Sequence, residues 1–238
     1  MDFYLLWVAF LLGIVEGVTE FLPVSSTGHL IVGAELLDFT GPSSKVFEIF
    51  IQLGAVFAVV VEYRKKILDT FIGIQTDKVA QDFTKNLIIA FIPAALLGFF
   101  FHSLIKLYLF NPIVVGIALI AGGILMIIIE KKLPNRPKVN VDKINKKQAI
   151  IVGMAQCFAL IPGVSRSAST IMGGLIGGLD RKTATEFSFF LAIPIIFAAS
   201  IFDLYSNIDI LNKSDIPVFV IGFITAFFSS YLIIKIFI

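Results

Sequence analysis

Two stretches of this chain carry residues that could do chemistry. The first, Glu16-Gly-Val-Thr-Glu20-Phe-Leu-Pro23-Val-Ser25-Ser26-Thr27-Gly-His29, sets two carboxylates, a run of three hydroxyls and an imidazole among apolar neighbours. Glu16 and Glu20 are four apart, so a helix puts both on one face. In a low-dielectric setting they do not both stay ionised without a cation or a shared proton. A hard divalent cation, Mg2+ or Ca2+, would resolve this through oxygen ligands; the competing reading is a pair of solvated surface glutamates. Ser25, Ser26 and Thr27 follow Pro23, where a helical arm should begin. There they either cap that helix or, with its free N–H groups, hold an anion. A serine becomes a nucleophile when a base is in reach, and His29, about one helical turn beyond Ser26, can act as base or acid near neutral pH. A satisfied interior histidine is the alternative.

The second stretch, Pro162-Gly163-Val164-Ser165-Arg166-Ser167-Ala-Ser-Thr170, adds an arginine. A guanidinium is a fixed planar cation suited to bidentate phosphate binding, and the surrounding hydroxyls of Ser165, Ser167 and Thr170 can take remaining oxygens. An ion pair with Glu20 or Glu186 competes for the same group.

The elements that position these residues belong to a membrane protein. Mean hydropathy is +0.96, and 58% of the 238 residues are hydrophobic against 15% charged, with 25 Phe. That exceeds the roughly 45–50% apolar content of soluble domains. A net charge of +2 gives no nucleic-acid footprint. The single Cys157 excludes an intrachain disulfide and a thiolate metal cluster and reads as a small buried hydrophobe. The start, Met1-Asp2-Phe3, lacks a basic region, so no removable signal peptide is expected.

Five segments, at about 46–63, 87–106, 112–130, 187–205 and 216–236, are expected to span the bilayer. Regions of about 3–37 and 148–180 are broken by a Pro and hydroxyl-rich run and read as re-entrant hairpins. Arg64, Lys65, Lys66, Lys78 and Lys85 share one loop, and Lys131, Lys132, Arg136, Lys138, Lys143, Lys146 and Lys147 another, which the positive-inside rule makes cytoplasmic. Loops 38–45, 107–111 and 206–215 then lie outside, the first hairpin dips from outside, and the second dips from inside. His102 and Lys106 read as interfacial, the lysine snorkelling.

The hairpins also align with each other at a displacement of 140 positions: Gly13 with Gly153, Glu16 with Gln156, Ser25 with Ser165, Ser26 with Arg166 and Thr27 with Ser167. Glu48 and Glu186 match in the following helices. With opposite insertion, this is an inverted-topology repeat, whose broken helices form binding sites near the midplane. The expected fold is an all-α polytopic membrane protein, one membrane domain over 1–238, with repeat 1 at about 1–130, a cytoplasmic linker at 131–147 and repeat 2 at about 148–238. The second repeat ends one helix short of the first. Gly13 to Gly17 and Gly173 to Gly178 are small-residue faces for close helix contact.

At these residues the chain resembles the undecaprenyl-pyrophosphate phosphatase family of bacterial inner-membrane proteins, associated with bacitracin resistance. The resemblance rests on E-G-V-T-E-F-L-P-V-S-S-T-G-H from Glu16 to His29, F-E-I-F-I-Q-L-G from Phe47 to Gly54, P-G-V-S-R-S-A-S-T from Pro162 to Thr170, and Glu186-Phe-Ser-Phe-Phe-Leu. It implies hydrolysis of a C55 isoprenyl pyrophosphate to the carrier lipid monophosphate of cell-wall synthesis, with divalent-cation dependence and a site open to the periplasm or exterior. It implies catalytic roles for Glu16, Glu20, Ser26, His29 and Arg166, with Glu16 and Glu20 as metal ligands. Ser25, Thr27, Ser165, Ser167, Thr170, Glu48, Gln52 and Glu186 are then expected at the substrate. Partners are the polyprenyl pyrophosphate lipid and the bilayer, with no nucleic acid; a homodimer stays open. Family members carry one more helix after the equivalent of Lys235. The rival reading is a transporter or flippase for a lipid phosphate, since inverted repeats with broken helices are also a carrier architecture.

Overall fold

In hydrocarbon every backbone N–H and C=O must be satisfied within the chain, which leaves helices as the natural form for so apolar a sequence. A computed structural model of the protein describes residues 3–109, 111–134 and 136–237; the side chain of Lys106 lies outside the described residues. Among the described residues all regular structure is helical: α1 (Phe3–Thr19), α2 (Ser26–Leu36), α3 (Pro42–Glu62), α4 (Arg64–Gly73), α5 (Lys78–Tyr108), α6 (Pro112–Lys132), α7 (Lys146–Gln156), α8 (Arg166–Ile176), α9 (Arg181–Ser206) and α10 (Ile216–Phe237). Of these, α3, α5, α6, α9 and α10 are long and apolar enough to cross a membrane. The protein is thus an all-α polytopic membrane protein with the five expected spans.

Two spans start earlier than hydropathy suggests. Asp77 caps α5 by accepting from the Val79 N–H at 2.9 Å, and Asp180 caps α9 by accepting from the Thr183 N–H at 3.1 Å. Their first turns are polar, so an apolar window misses them. The basic stretch after Glu62, expected as a loop, instead forms α4, whose Arg and Lys residues are good helix formers.

The two broken regions are helical hairpins. In the first, α1 ends at Thr19 and α2 begins at Ser26; in the second, α7 runs into a 3-10 turn at Cys157–Leu160 before α8 begins at Arg166. Within each, the two arms pack on one another. The 11 residues of α2, α7 and α8 reach only about 16 Å at 1.5 Å per residue, half the hydrocarbon thickness.

Two compact units are distinguishable, and α9 is divided between them at Leu191 and Ala192. In the unit of α1–α3, the end of α9 and α10, lipid supplies no hydrophobic drive, so close packing must hold the helices together. Gly13 and Gly17 permit it. A Cβ on Gly17 would stand 2.6 Å from the Ala226 carbonyl oxygen, and one on Gly13 2.7 Å from that of Gly222. Ser230 Oγ also donates to the Gly17 carbonyl at 2.9 Å. Phe47 is buried beside Leu12, Leu30 and Ile51, with edge-on contacts to Phe39 and Phe219 at 5.3 and 5.5 Å.

The other unit holds α4–α8 and the start of α9. Gly173 lets α8 approach α7, where a Cβ would meet that of Ala155 at 2.6 Å. The linker is tied to the helix ends by side chains. Lys66 pairs with Asp142, Asn86 Nδ2 donates to the Ile144 carbonyl at 2.6 Å, and Arg181 Nε donates to Glu130 at 2.5 Å. Asp180 Oδ2 accepts from the Val139 N–H at 2.9 Å and lies 2.6 Å from Thr183 Oγ1. Burial of Asp180 works to raise its carboxyl, but these hydrogen bonds from Thr183 and Val139 outweigh it and hold the group below its usual range.

Candidate active site

α1 delivers both carboxylates of the first hairpin. Glu16 is fully buried in its last turns, and Glu20 is 8% exposed. The Glu20 N–H donates to the Glu16 carbonyl at 2.9 Å, which continues the helical register past Thr19 and keeps the two acids on successive turns. They are not solvated surface glutamates.

Ser26 opens α2, is itself buried, and donates Oγ–H to Glu20 Oε2 at 2.5 Å. A hydroxyl bound to a carboxylate is a charge-assisted pair, and it points the serine proton at a base. Ser25, the residue before α2, has φ 65. This is left-handed backbone rather than the extended form of an ordinary N-cap. Thr27 is half-buried, and His29 is exposed one turn beyond Ser26. On α3, Glu48 and Gln52 are half-buried on successive turns.

The second hairpin presents Arg166 differently. Ser165, at φ −64 and ψ 127, is an ordinary N-cap of α8: its Oγ accepts from the Ala168 N–H at 3.1 Å. It also lies 2.9 Å from Ser167 Oγ. Arg166 is half-buried at the first turn. Its Nη1 donates to the Ser188 carbonyl at 3.0 Å and lies 3.4 Å from Ser188 Oγ. Thr170 Oγ1 is 2.6 Å from Ser188 Oγ and donates back to the α8 backbone, 2.9 Å from the Arg166 carbonyl. Sequence reasoning missed Ser188; it sits inside the block from Glu186, where only the glutamate drew attention. Glu186 is half-buried on α9. Gln156, aligned with Glu16, is buried and donates Nε2 to the Ala90 carbonyl at 3.4 Å.

A divalent cation fits the first hairpin by the chemistry of its donors. Glu16 and Glu20 offer carboxylate oxygens in a buried setting. Among the described residues no cluster of three or more His, Cys, Asp or Glu could hold a metal ion. An ion bound by two carboxylates takes its other ligands from water and phosphate oxygens, a habit of Mg2+ more than of zinc.

Apolar spanning helices interrupted by two polar hairpins define an integral membrane protein with ionisable groups buried in the fold, where such groups are costly. The family model for bacitracin resistance protein BacA matches residues 9–238, and the chain belongs to that family. It is 53% identical over 235 residues to an undecaprenyl-diphosphatase of Pseudomonas fluorescens Pf-5, covering 99% of this chain and 85% of that protein. It is 50% identical over 239 residues to an undecaprenyl-diphosphatase of Aromatoleum aromaticum, covering 100% of this chain and 87% of that protein.

Proposed function

We propose that this protein hydrolyses undecaprenyl pyrophosphate to undecaprenyl phosphate and inorganic phosphate, returning the lipid carrier to cell-wall synthesis. The observation that carries this reading is the 2.5 Å hydrogen bond from Ser26 Oγ to Glu20 in the hairpin after α1. The names of relatives about half identical to the chain support the substrate.

Ser26 Oγ attacks the terminal phosphorus while its proton passes to the Glu20 carboxylate. The P–O bond to the bridging oxygen breaks, and undecaprenyl phosphate leaves with a proton from His29. Water then attacks the phosphoserine as His29 takes back a proton from it, the P–O bond to Ser26 Oγ breaks, Glu20 returns its proton to Ser26, and inorganic phosphate leaves. Glu16 and Glu20 would hold a divalent cation, which supplies charge neutralisation to phosphate oxygens. Arg166 binds phosphate through its planar fork. Ser165, Ser167 and Thr170 on the second hairpin, Ser25 and Thr27 on the first, and Glu48, Gln52 and Glu186 are assigned to the substrate's surroundings.

The protein resides in the bacterial inner membrane, with the basic linker cytoplasmic and the site facing the periplasm. Basic residues concentrated around α4 and the 131–147 linker support this. Exposed Lys78, Lys143 and Asn212 make it testable: single cysteines in a Cys157→Ser background should label with an impermeant reagent at Asn212 and stay protected at Lys78 and Lys143. Labelling of Lys143 from outside would reverse the orientation. Hydrolysis itself is tested by phosphate release from purified protein in detergent with a polyprenyl pyrophosphate. A transporter or flippase releases none.

A further inference from the structure

Ser188 is fully buried on α9, two residues beyond Glu186. A guanidinium has only donors, whereas a serine hydroxyl has one donor and two acceptor positions. One direction satisfies all of the hydrogen bonds, with Thr170 donating to the α8 backbone and Ser188 donating to Thr170. Arg166 Nη1 donates to the Ser188 carbonyl at 3.0 Å and, more weakly, toward Ser188 Oγ at 3.4 Å. That leaves the Ser188 hydroxyl proton for Thr170 Oγ1 at 2.6 Å. Thr170 in turn gives its own proton to the α8 backbone, where the Arg166 and Ser167 carbonyls lie at 2.9 and 3.1 Å. The relay thus runs from the arginine side chain through α9 and back to the arginine's own helix. It anchors one nitrogen of the guanidinium and so limits how the fork can turn.

We propose that Ser188 is a positioning residue for Arg166, orienting the guanidinium plane toward the phosphate groups through the Ser188 and Thr170 hydroxyls. This rests on the assignment of Arg166 to phosphate binding. Orientation matters because a planar fork makes two parallel bonds only when coplanar with its phosphate oxygens. Misplacement of about 1 Å at a positioning group can lower turnover about 10²-fold. Ser188→Ala keeps the carbonyl bond and removes the hydroxyl, so a smaller loss is expected.

The test is a double-mutant cycle of Ser188→Ala and Arg166→Lys, with kcat and KM measured on a polyprenyl pyrophosphate in detergent and folding checked by thermal melting. A lysine ammonium has no plane for Ser188 to orient. Ser188→Ala should lower kcat about tenfold with Arg166 present, leave KM within about twofold, and cause no further loss beside Arg166→Lys. Ser188→Cys, closer in volume, covers the case in which Ser188→Ala fails to fold, and the same kcat loss is expected. Unchanged turnover of folded Ser188→Ala or Ser188→Cys would overturn the proposal, as would an equal loss in both backgrounds. Near-normal turnover of both Arg166→Lys and Arg166→Ala would instead overturn the phosphate-binding assignment itself.

Discussion

The two broken hairpins share a pattern and differ where it counts. Ser25 and Ser165 align in sequence, yet Ser165 is a regular helix cap with an extended backbone, and Ser25 has φ 65. The next position is Ser26 in one hairpin and Arg166 in the other, and the acid Glu16 aligns with the neutral Gln156. One hairpin collects carboxylates and a serine hydrogen-bonded to one of them. The other holds a cation by carbonyl and hydroxyl groups. The same helix–break–helix pattern thus carries a carboxylate-bound serine in one hairpin and an anchored guanidinium in the other. The left-handed turn at Ser25 is the structural mark of that divergence, because strained backbone persists only where the surroundings hold it.

Breaking the comparison at its chemical centre should give the largest effects. Glu20→Ala and Arg166→Ala should each lower phosphatase turnover at least about 10²-fold, the usual consequence of removing one preorganised charge-stabilising group. Arg166→Lys should also be poor, since a point charge replaces the fork. Turnover on a polyprenyl pyrophosphate checks this; normal activity in either alanine variant would mean that its hairpin holds no part of the chemistry.

The Ser26–Glu20 pair sharpens it further. If the two act in one step, Ser26→Ala with Glu20→Gln should lose little more than the worse single variant. A serine that merely caps α2 would add its own effect independently, about 0.5–2 kcal/mol in stability. Turnover of the four proteins in this cycle, with melting temperatures alongside, separates the cases.

Smaller effects should appear in stability at the two aligned serines. Ser25→Gly should raise stability by about 1 kcal/mol, since glycine adopts positive φ without the Cβ penalty. Ser165→Gly should lower it by a few tenths of a kcal/mol and Ser165→Ala by about 1 kcal/mol, through loss of the cap. Opposite signs for one substitution at equivalent positions would confirm the contrast in thermal melts; equal signs would dissolve it.

The smallest effect is expected outside the spans. Asp180 is held below the carboxyl value of 3.8 by its hydrogen bonds. Its contribution is therefore present in full above that pH and lost as pH falls through its lowered folded value. Asp180→Asn should flatten the acid limb of a stability-versus-pH curve, followed by thermal melting from near-neutral to strongly acidic conditions.

Much of this architecture was legible in the chain itself. Apolar runs long enough to span a bilayer are visible because lipid imposes a minimum length on every crossing helix. The hairpins were marked by Pro23 and Pro162, whose rings stop a helix, followed by hydroxyls that suit the start of a new one. Glu16, Glu20 and Arg166 stood out because charge is costly among Phe, Leu and Ile. Sequence spacing suggested His29 as the base for Ser26, and in the fold the Ser26 hydroxyl donates a hydrogen bond to Glu20. Six residues of sequence separation across a non-helical turn set no distance, so that contact depends on how the chain closes between α1 and α2. The polar first turns of α5 and α9 escaped a hydropathy window for a related reason: a helix can continue into polar sequence when a cap and packing support it.

What only the tertiary structure decided is the environment of each charged group. Ser188 is an undistinguished serine in an aromatic run, aligned with Phe50 of the first repeat. It acquires meaning because α9 passes the Arg166 side chain at hydrogen-bonding distance. Local patterns fix which segments become helices and which residues are too polar to be there by accident. Hydrogen bonds between segments far apart in the chain depend on ångström-level packing, and no local pattern encodes that.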